Sequence, residues 1–264
     1  MRSIAIMNQK GGVGKTTTVV NLGAALALRG QRVCVVDLDP QAHATLHLGV
    51  DPHPDRPSVY DVLLGEARVA DVRCGVSENL SLVGSSLDLA AAELELAGMV
   101  GREAILRDRL REDTEPLDYL LIDCPPSLGI LTLNALAAVG EVFIPLQPHF
   151  LALHGLSKLL ETIELVAERL NAGLKLSGVV MCMYDANTRL ATEVSQDVAR
   201  FFEAARGQDT PWAHAAPFQT RIRRNIRLAE APSFGQSIFQ YAPESNGAED
   251  YGQLADEVLR GGNS

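Results

Sequence analysis

Between an apolar run and a segment rich in alanine and leucine stands Lys10-Gly11-Gly12-Val13-Gly14-Lys15-Thr16-Thr17-Thr18. Glycines at that density let the backbone turn so that successive N–H groups point at one anion, and a helix starting at the end of the loop adds its positive terminus. Strand, glycine loop and helix in that order are what a phosphate loop needs. On that reading Lys15 reaches β- and γ-phosphate oxygens and the Thr16 hydroxyl holds Mg²⁺. A glycine-rich turn before an ordinary helix is the plain alternative. The generic spacing would put glycine where Gln9 stands, and Lys10 opens the loop instead. Taken alone, Lys10 reads as a solvated charge as readily as a ligand-binding one.

Two further runs end in acids. Val35-Val36-Asp37-Leu38-Asp39-Pro40-Gln41 places two carboxylates in alternation, and Tyr119-Leu120-Leu121-Ile122-Asp123-Cys124-Pro125-Pro126 places one after four apolar residues. Carboxyl ends of strands are where open α/β sheets bind ligands. Phosphoryl transfer needs a group that orients water and a carboxylate in the Mg²⁺ shell, and these acids have the right surroundings for both tasks. Capping of the next helix is the competing role for Asp37 and Asp39. His43 and His47 stand four apart, with His53 beyond, but no cysteine or glutamate of metal-ligand spacing accompanies them, so surface histidines are expected rather than a zinc site.

A different chemistry is concentrated near the C-terminus. Thr220-Arg221-Ile222-Arg223-Arg224-Asn225-Ile226-Arg227-Leu228 carries four arginines in seven positions with no acid among them, inside a chain of net charge −10. Such a cluster neutralises backbone phosphates of nucleic acid without reading bases. Salt bridges to Glu230 and its neighbours are the alternative.

The elements that must position these groups follow from periodicity. Ser3–Met7, Arg32–Asp37, Leu80–Gly84, Tyr119–Asp123, Glu141–Leu146 and Leu176–Met183 read as strands, several apolar throughout, as in parallel sheets covered on both faces. Thr16–Arg29, Leu87–Arg111, Leu128–Val139, Leu153–Asn171, Leu190–Ala205 and Ala248–Leu259 read as helices, with Asp51–Pro57 and Gly207–Pro217 as loops. The expected fold is α/β: one doubly wound, mostly parallel sheet with helices on both faces, forming a single domain over residues 1–264. Disorder and collagen-like repeats are excluded by 47% hydrophobic residues. The N-terminal apolar run is far short of a secretory signal, no stretch reaches the roughly 18 apolar residues of a membrane span, and the C-terminal segment 248–264 is acidic. A cytoplasmic location is expected. Cys34, Cys74, Cys124 and Cys182 are widely spaced and read as thiols rather than disulfides or metal ligands.

The loop Lys10-Gly11-Gly12-Val13-Gly14-Lys15-Thr16 resembles that of the deviant Walker A ATPases of the ParA/MinD family, a branch of the P-loop NTPases. Residues 224–235, Arg-Asn-Ile-Arg-Leu-Ala-Glu-Ala-Pro-Ser-Phe-Gly, resemble the C-terminal signature of its chromosomal ParA (Soj) branch. The resemblance runs from residue 3 to about 259. It implies ATP and Mg²⁺ as cofactors and Lys10, Gly11, Gly12, Val13, Gly14, Lys15, Thr16 and Thr17 as the nucleotide cradle. Lys10, Lys15 and Asp39 become the catalytic residues, with Lys10 acting across a dimer interface, and Thr16, Asp39 and Asp123 the metal environment. It further implies an ATP-dependent homodimer that binds double-stranded DNA nonspecifically through Arg189, Arg221, Arg223, Arg224 and Arg227, associates with the nucleoid, and is reset by a ParB-like centromere-binding partner. Two departures stand out. Arg223 occupies a position where relatives often have proline, and a DNA-contacting arginine of the family aligns with Asn187, leaving Arg189 displaced by two positions. A MinD-like membrane ATPase, a non-enzymatic nucleotide switch and an iron–sulfur electron carrier are the rival readings.

Overall fold

The computed structural model describes residues 1–53, 55–150 and 152–261. Pro54 of the expected Asp51–Pro57 loop and Gly262–Ser264 of the acidic C-terminal segment lie outside the described residues. The first half of the chain runs β1 (Arg2–Ile6), α1 (Lys15–Ala27), β2 (Val33–Asp37), α2 (His43–His47), α3 (Val59–Leu64), α4 (Val69–Val72), β3 (Cys74–Ser77), β4 (Leu80–Val83), α5 (Leu89–Leu96) and α6 (Ile105–Arg111). It continues β5 (Tyr119–Asp123), α7 (Ile130–Ala138), β6 (Glu141–Leu146), α8 (Ala152–Arg169), β7 (Lys175–Tyr184), α9 (Arg189–Ala205) and β8 (Ala216–Arg223), then α10 (Ile226–Glu230), α11 (Ile238–Tyr241) and α12 (Asn246–Gly261).

The strands form an eight-stranded sheet in the order β3-β4-β2-β5-β1-β6-β7-β8, parallel except for the β3–β4 pair. β2 and β5 are buried at every position, because alternate residues serve two cores. Cys34, Val36, Leu120 and Ile122 join the layer under α3 to α9, whereas Val33, Val35, Tyr119 and Leu121 join the layer under α1 and α12. Helices on both faces therefore explain why these strands are apolar without alternation. In register, Asp123 lies beside both Ile6 and Asp37, so the phosphate loop and two acid-ended strands open at one sheet edge.

Three expectations need correction. The continuous helix over Leu87–Arg111 is broken: α5 ends at Leu96, Gly101 turns with φ 70, and a 3₁₀ turn at Arg102–Ala104 leads into α6. The loop over Gly207–Pro217 gives way at Ala216 to the edge strand β8, which also contains Arg221 and Arg223. The outward N–H groups of that edge are covered by α12: Gln219 N and Thr220 N donate to the Glu257 carboxylate at 2.7 and 3.0 Å, and Arg223 N donates to Asp250 at 2.8 Å. This protects an edge that could otherwise pair with another chain. Third, His47 is buried in α2, while His43 and His53 are exposed.

Candidate functional site

The phosphate loop connects β1 to α1, with Gly12 and Gly14 at φ 70 and 97. Gly14 caps α1 in the left-handed region, where a side chain would be strained, and a Cβ there would also approach Cys182 at 3.5 Å. The Lys15 ammonium folds back across the loop and donates to the Lys10 carbonyl at 3.4 Å. Lys15 is only 7% exposed; burial lowers its pKa, and the Asp123 and Asp39 carboxylates oppose that shift. Lys10 points elsewhere, its Nζ 2.9 Å from His149 Nε2.

The strand-ending acids separate into distinct roles. Asp37 is fully buried and accepts from Thr45 N at 2.8 Å, Thr45 Oγ1 at 2.7 Å and Asp39 N at 3.1 Å, so it anchors α2 and the loop before it. Burial pushes its pKa up to about 6 against those hydrogen bonds. Asp39 lines the cleft, its Oδ1 accepting from Gln41 N at 3.0 Å. The loop turns into α2 through Ala42 at φ 52, a left-handed non-glycine residue held in place by these contacts. Asp123 Oδ2 accepts from the Thr16 hydroxyl at 2.7 Å, while its buried Oδ1 has no hydrogen-bond partner. Burial and the Asp37 charge push its pKa well up. A buried carboxylate oxygen without a donor, beside a threonine hydroxyl and a lysine, suits a hydrated Mg²⁺ that would bring the compensating charge.

These groups open onto a cleft of about 720 Å³ whose far wall comes from Cys182, Met183, residues 222–226, Leu228 and Ala229. Met183 sits at φ 51. Tyr251 closes the floor from α12, its hydroxyl 3.1 Å from Thr18 Oγ1. Met183, Ala42 and Tyr251 carried no motif; their signal is conformational or lies in packing between distant segments. Cys182 and Cys124 are buried thiols with raised pKa values, about 12 for Cys182, and all four cysteines are unpaired.

The arginine segment is placed at the rim of the same cleft, with Arg223 and Arg224 among its lining residues. Most of its charge is engaged. Arg223 binds buried Asp250 at 2.6 Å and Glu249 at 2.6 Å, and Arg227 binds Glu230 at 2.8 Å. The Arg221 guanidinium lies 4.5 Å from the Tyr184 ring centre and donates to its hydroxyl at 2.7 Å. Arg189, at the start of α9, pairs with Glu193 at 2.8 Å. Arg224 is exposed and has no ion pair among the described residues.

Fold, loop and acid-ended strands together define a P-loop nucleotide hydrolase whose phosphate loop carries a second lysine. Comparison with known proteins narrows this. The AAA domain family matches residues 1–176. The chain is 46% identical to the sporulation initiation inhibitor protein Soj of Bacillus subtilis over 98% of each chain. It is 43% identical to the chromosome partitioning protein ParA of Caulobacter vibrioides over 98% of this chain and 94% of that one. Among solved structures, cobyrinic acid a,c-diamide synthase from Mycobacterium smegmatis, with bound ATP analogue and magnesium, superposes with a TM-score of 0.84 at 38% identity, covering 100% of this chain and 96% of that one. The cell division ATPase MinD of Pyrococcus furiosus gives 0.77 at 28% identity over 98% of each. The chain belongs to the ParA/Soj family of chromosome-partitioning ATPases.

Proposed function

We propose that this chain, as a single domain, binds ATP and Mg²⁺ in the 720 Å³ cleft, forms a dimer around two nucleotides, holds DNA nonspecifically in that state and lets go on hydrolysis. The observation that carries the reading is the unpartnered Asp123 Oδ1 beside the Thr16 hydroxyl and Lys15, the place where a hydrated Mg²⁺ bound with the nucleotide would supply the missing positive charge. Lys15 then neutralises β- and γ-oxygens, Thr16 and Asp123 hold the hydrated metal, and Asp39 orients the attacking water, with Asp37 fixing the loop from behind. Lys10 leaves His149 and reaches the partner subunit's nucleotide. Mixing Lys10→Ala with Asp39→Ala chains should restore part of the activity, because one interface of the mixed dimer keeps both groups; absence of rescue in verified mixed dimers would put Lys10 in cis.

The DNA surface is assigned to Arg221, Arg224 and their neighbours, duplicated by dimerisation and located at the nucleoid. Two to four phosphate contacts per subunit give a log–log salt slope of roughly −4 to −7. A ParB-like protein is the partner that speeds hydrolysis. The MinD-like membrane reading is disfavoured because the apolar side of α12, with Ala248, Tyr251, Leu254, Ala255 and Val258, is buried in this molecule rather than offered to lipid. Gel filtration with ATP, ADP and a slowly hydrolysed analogue, followed by DNA binding of each fraction, tests the reading directly: DNA binding by an ADP-loaded monomer equal to that of the ATP-loaded dimer would overturn it.

A further inference from the structure

α5 is apolar on two sides, although only one of them is covered. Leu89, Ala92 and Leu96 are buried against the core. On the outer side Leu87 and Leu94 are 71% and 82% exposed, with Ala90, Ala91 and Ala97 exposed at intervening helical spacing, and Val100 stands fully in solvent beyond the helix end. A helix that is hydrophobic all round is normally buried, and a contiguous exposed apolar strip marks an interaction site. The strip is edged by exposed acids, Asp88, Glu93 and Glu95. The following cation, Arg102, is turned to Glu103 and to the Ala97 carbonyl.

The segment that carries the strip is tied to both catalytic loops through other residues. Just before α5, the Ser85 hydroxyl donates to the Asp39 carbonyl at 2.8 Å. Ser85 N donates to Thr45 Oγ1 at 2.9 Å, and that hydroxyl donates to Asp37 at 2.7 Å. On the next turns, Glu93 packs so closely on Gly129, in the loop that follows Asp123, that a Cβ there would collide with the carboxylate.

We propose that the outer face of α5 is the docking site for a basic, apolar-faced helical segment of the partner that stimulates hydrolysis, and that docking is relayed to Asp39 through Ser85. The assignment rests on the reading that a ParB-like protein speeds hydrolysis. Charge decides the occupant: a second copy meeting this face across a two-fold axis would set Asp88, Glu93 and Glu95 against themselves, whereas lysine or arginine flanking an apolar anchor complements them.

The probe is the purified ParB-like protein of the same organism, added to the ATP- and DNA-bound chain. Leu87→Ser/Leu94→Ser should raise its half-maximal concentration at least tenfold, with dimerisation, DNA binding and basal hydrolysis within twofold of the parent. Glu93→Lys/Glu95→Lys should weaken stimulation in the same direction and reduce its salt dependence. Ser85→Ala should leave partner binding intact and lower the maximal stimulated rate, a split that mere loss of docking would not give. Stimulation of the leucine variant at the parent's half-maximal concentration overturns the site, and so does loss of ATP-driven dimerisation in that variant, which would make the face a self-association surface. A parent chain that hydrolyses ATP and binds DNA but is not stimulated overturns the partner reading itself, and the docking site falls with it.

Discussion

The two charged regions around the cleft are built in opposite ways. At the phosphate end Lys15, Asp37, Asp39 and Asp123 are all at most 7% exposed, and burial shifts the pKa of Lys15 down and of Asp37 and Asp123 up. In the arginine segment the guanidinium groups reach solvent, but Arg223 and Arg227 are tied to carboxylates and Arg221 is stacked on Tyr184. Buried charges without full compensation are costly, so the phosphate end gains most from a ligand that supplies the missing charge. Exposed charges neutralise one another cheaply, so the arginine segment presents far less free positive charge than its composition suggests. One region holds uncompensated buried charge in advance of a ligand, whereas in the other Arg223 and Arg227 would have to give up internal partners before they could meet a phosphate.

The comparison is broken most decisively at Lys15. Lys15→Ala should cost at least 100-fold in nucleotide affinity, about 3 kcal/mol, read by calorimetric titration. Unchanged affinity would mean that the buried ammonium is structural. Asp39→Ala should spare ATP affinity but slow hydrolysis on the order of 100-fold or more, since only the proposed water-orienting group is lost. Equal turnover would move that role to another acid.

The arginines sharpen the contrast because they should divide into two classes. Arg221→Glu/Arg224→Glu should abolish ATP-dependent DNA binding and flatten its salt slope by about 0.9 for each phosphate contact removed, with little change in stability. Arg223→Ala should chiefly destabilise the fold, by about 2 kcal/mol, because it leaves the buried Asp250 carboxylate with the Arg223 backbone N–H as its remaining hydrogen bond. Chemical denaturation and DNA titration of the same variants separate the classes; an Arg223→Ala chain of parental stability with weakened DNA binding would erase the distinction.

Legibility followed the same division. β5 and β6 match the predicted bounds to the residue, because parallel strands covered on both faces are apolar without interruption, and an acid marks the end of β5 at Asp123 and the start of β6 at Glu141. β8 escaped because it is an edge strand whose Arg221 side chain faces outward and whose outer N–H groups are satisfied by the side chains of α12, a segment far along the chain. The alternation of Asp37 and Asp39 showed that two carboxylates ended β2, but only the position of Thr45 tells which one is held behind the loop. The break after α5 lay in Gly98 and Gly101, which leave the surrounding helical periodicity intact. His47 looked like a surface residue because nothing near it in sequence reveals the turn at Gly235 that covers it, where the backbone approaches Gly49 too closely for a Cβ.

That turn supplies the smallest expected effect. His47 is 2% exposed, its Nε2 has no hydrogen-bond partner, and burial lowers its pKa to about 4 despite a hydrogen bond with the Gln236 backbone. At pH 7 the imidazole is neutral in the folded chain and mostly neutral in the unfolded one. Below about 6.5 the unfolded chain takes up a proton that the folded chain refuses until about 4, so stability is complete above that window and falls as pH decreases through it. At pH 5.5 the loss amounts to about 1 kcal/mol. His47→Gln removes the titration while keeping a polar group of similar length. The parent's denaturation midpoint should therefore fall more than the variant's between pH 7 and 5.5. Because α2 is held by Asp37 on one side and packs on the 231–236 turn on the other, loosening at His47 should also reach the loop of Asp39. Equal falls in the two chains would show that His47 is neutral for another reason and that this contact contributes nothing to the acid sensitivity of the fold.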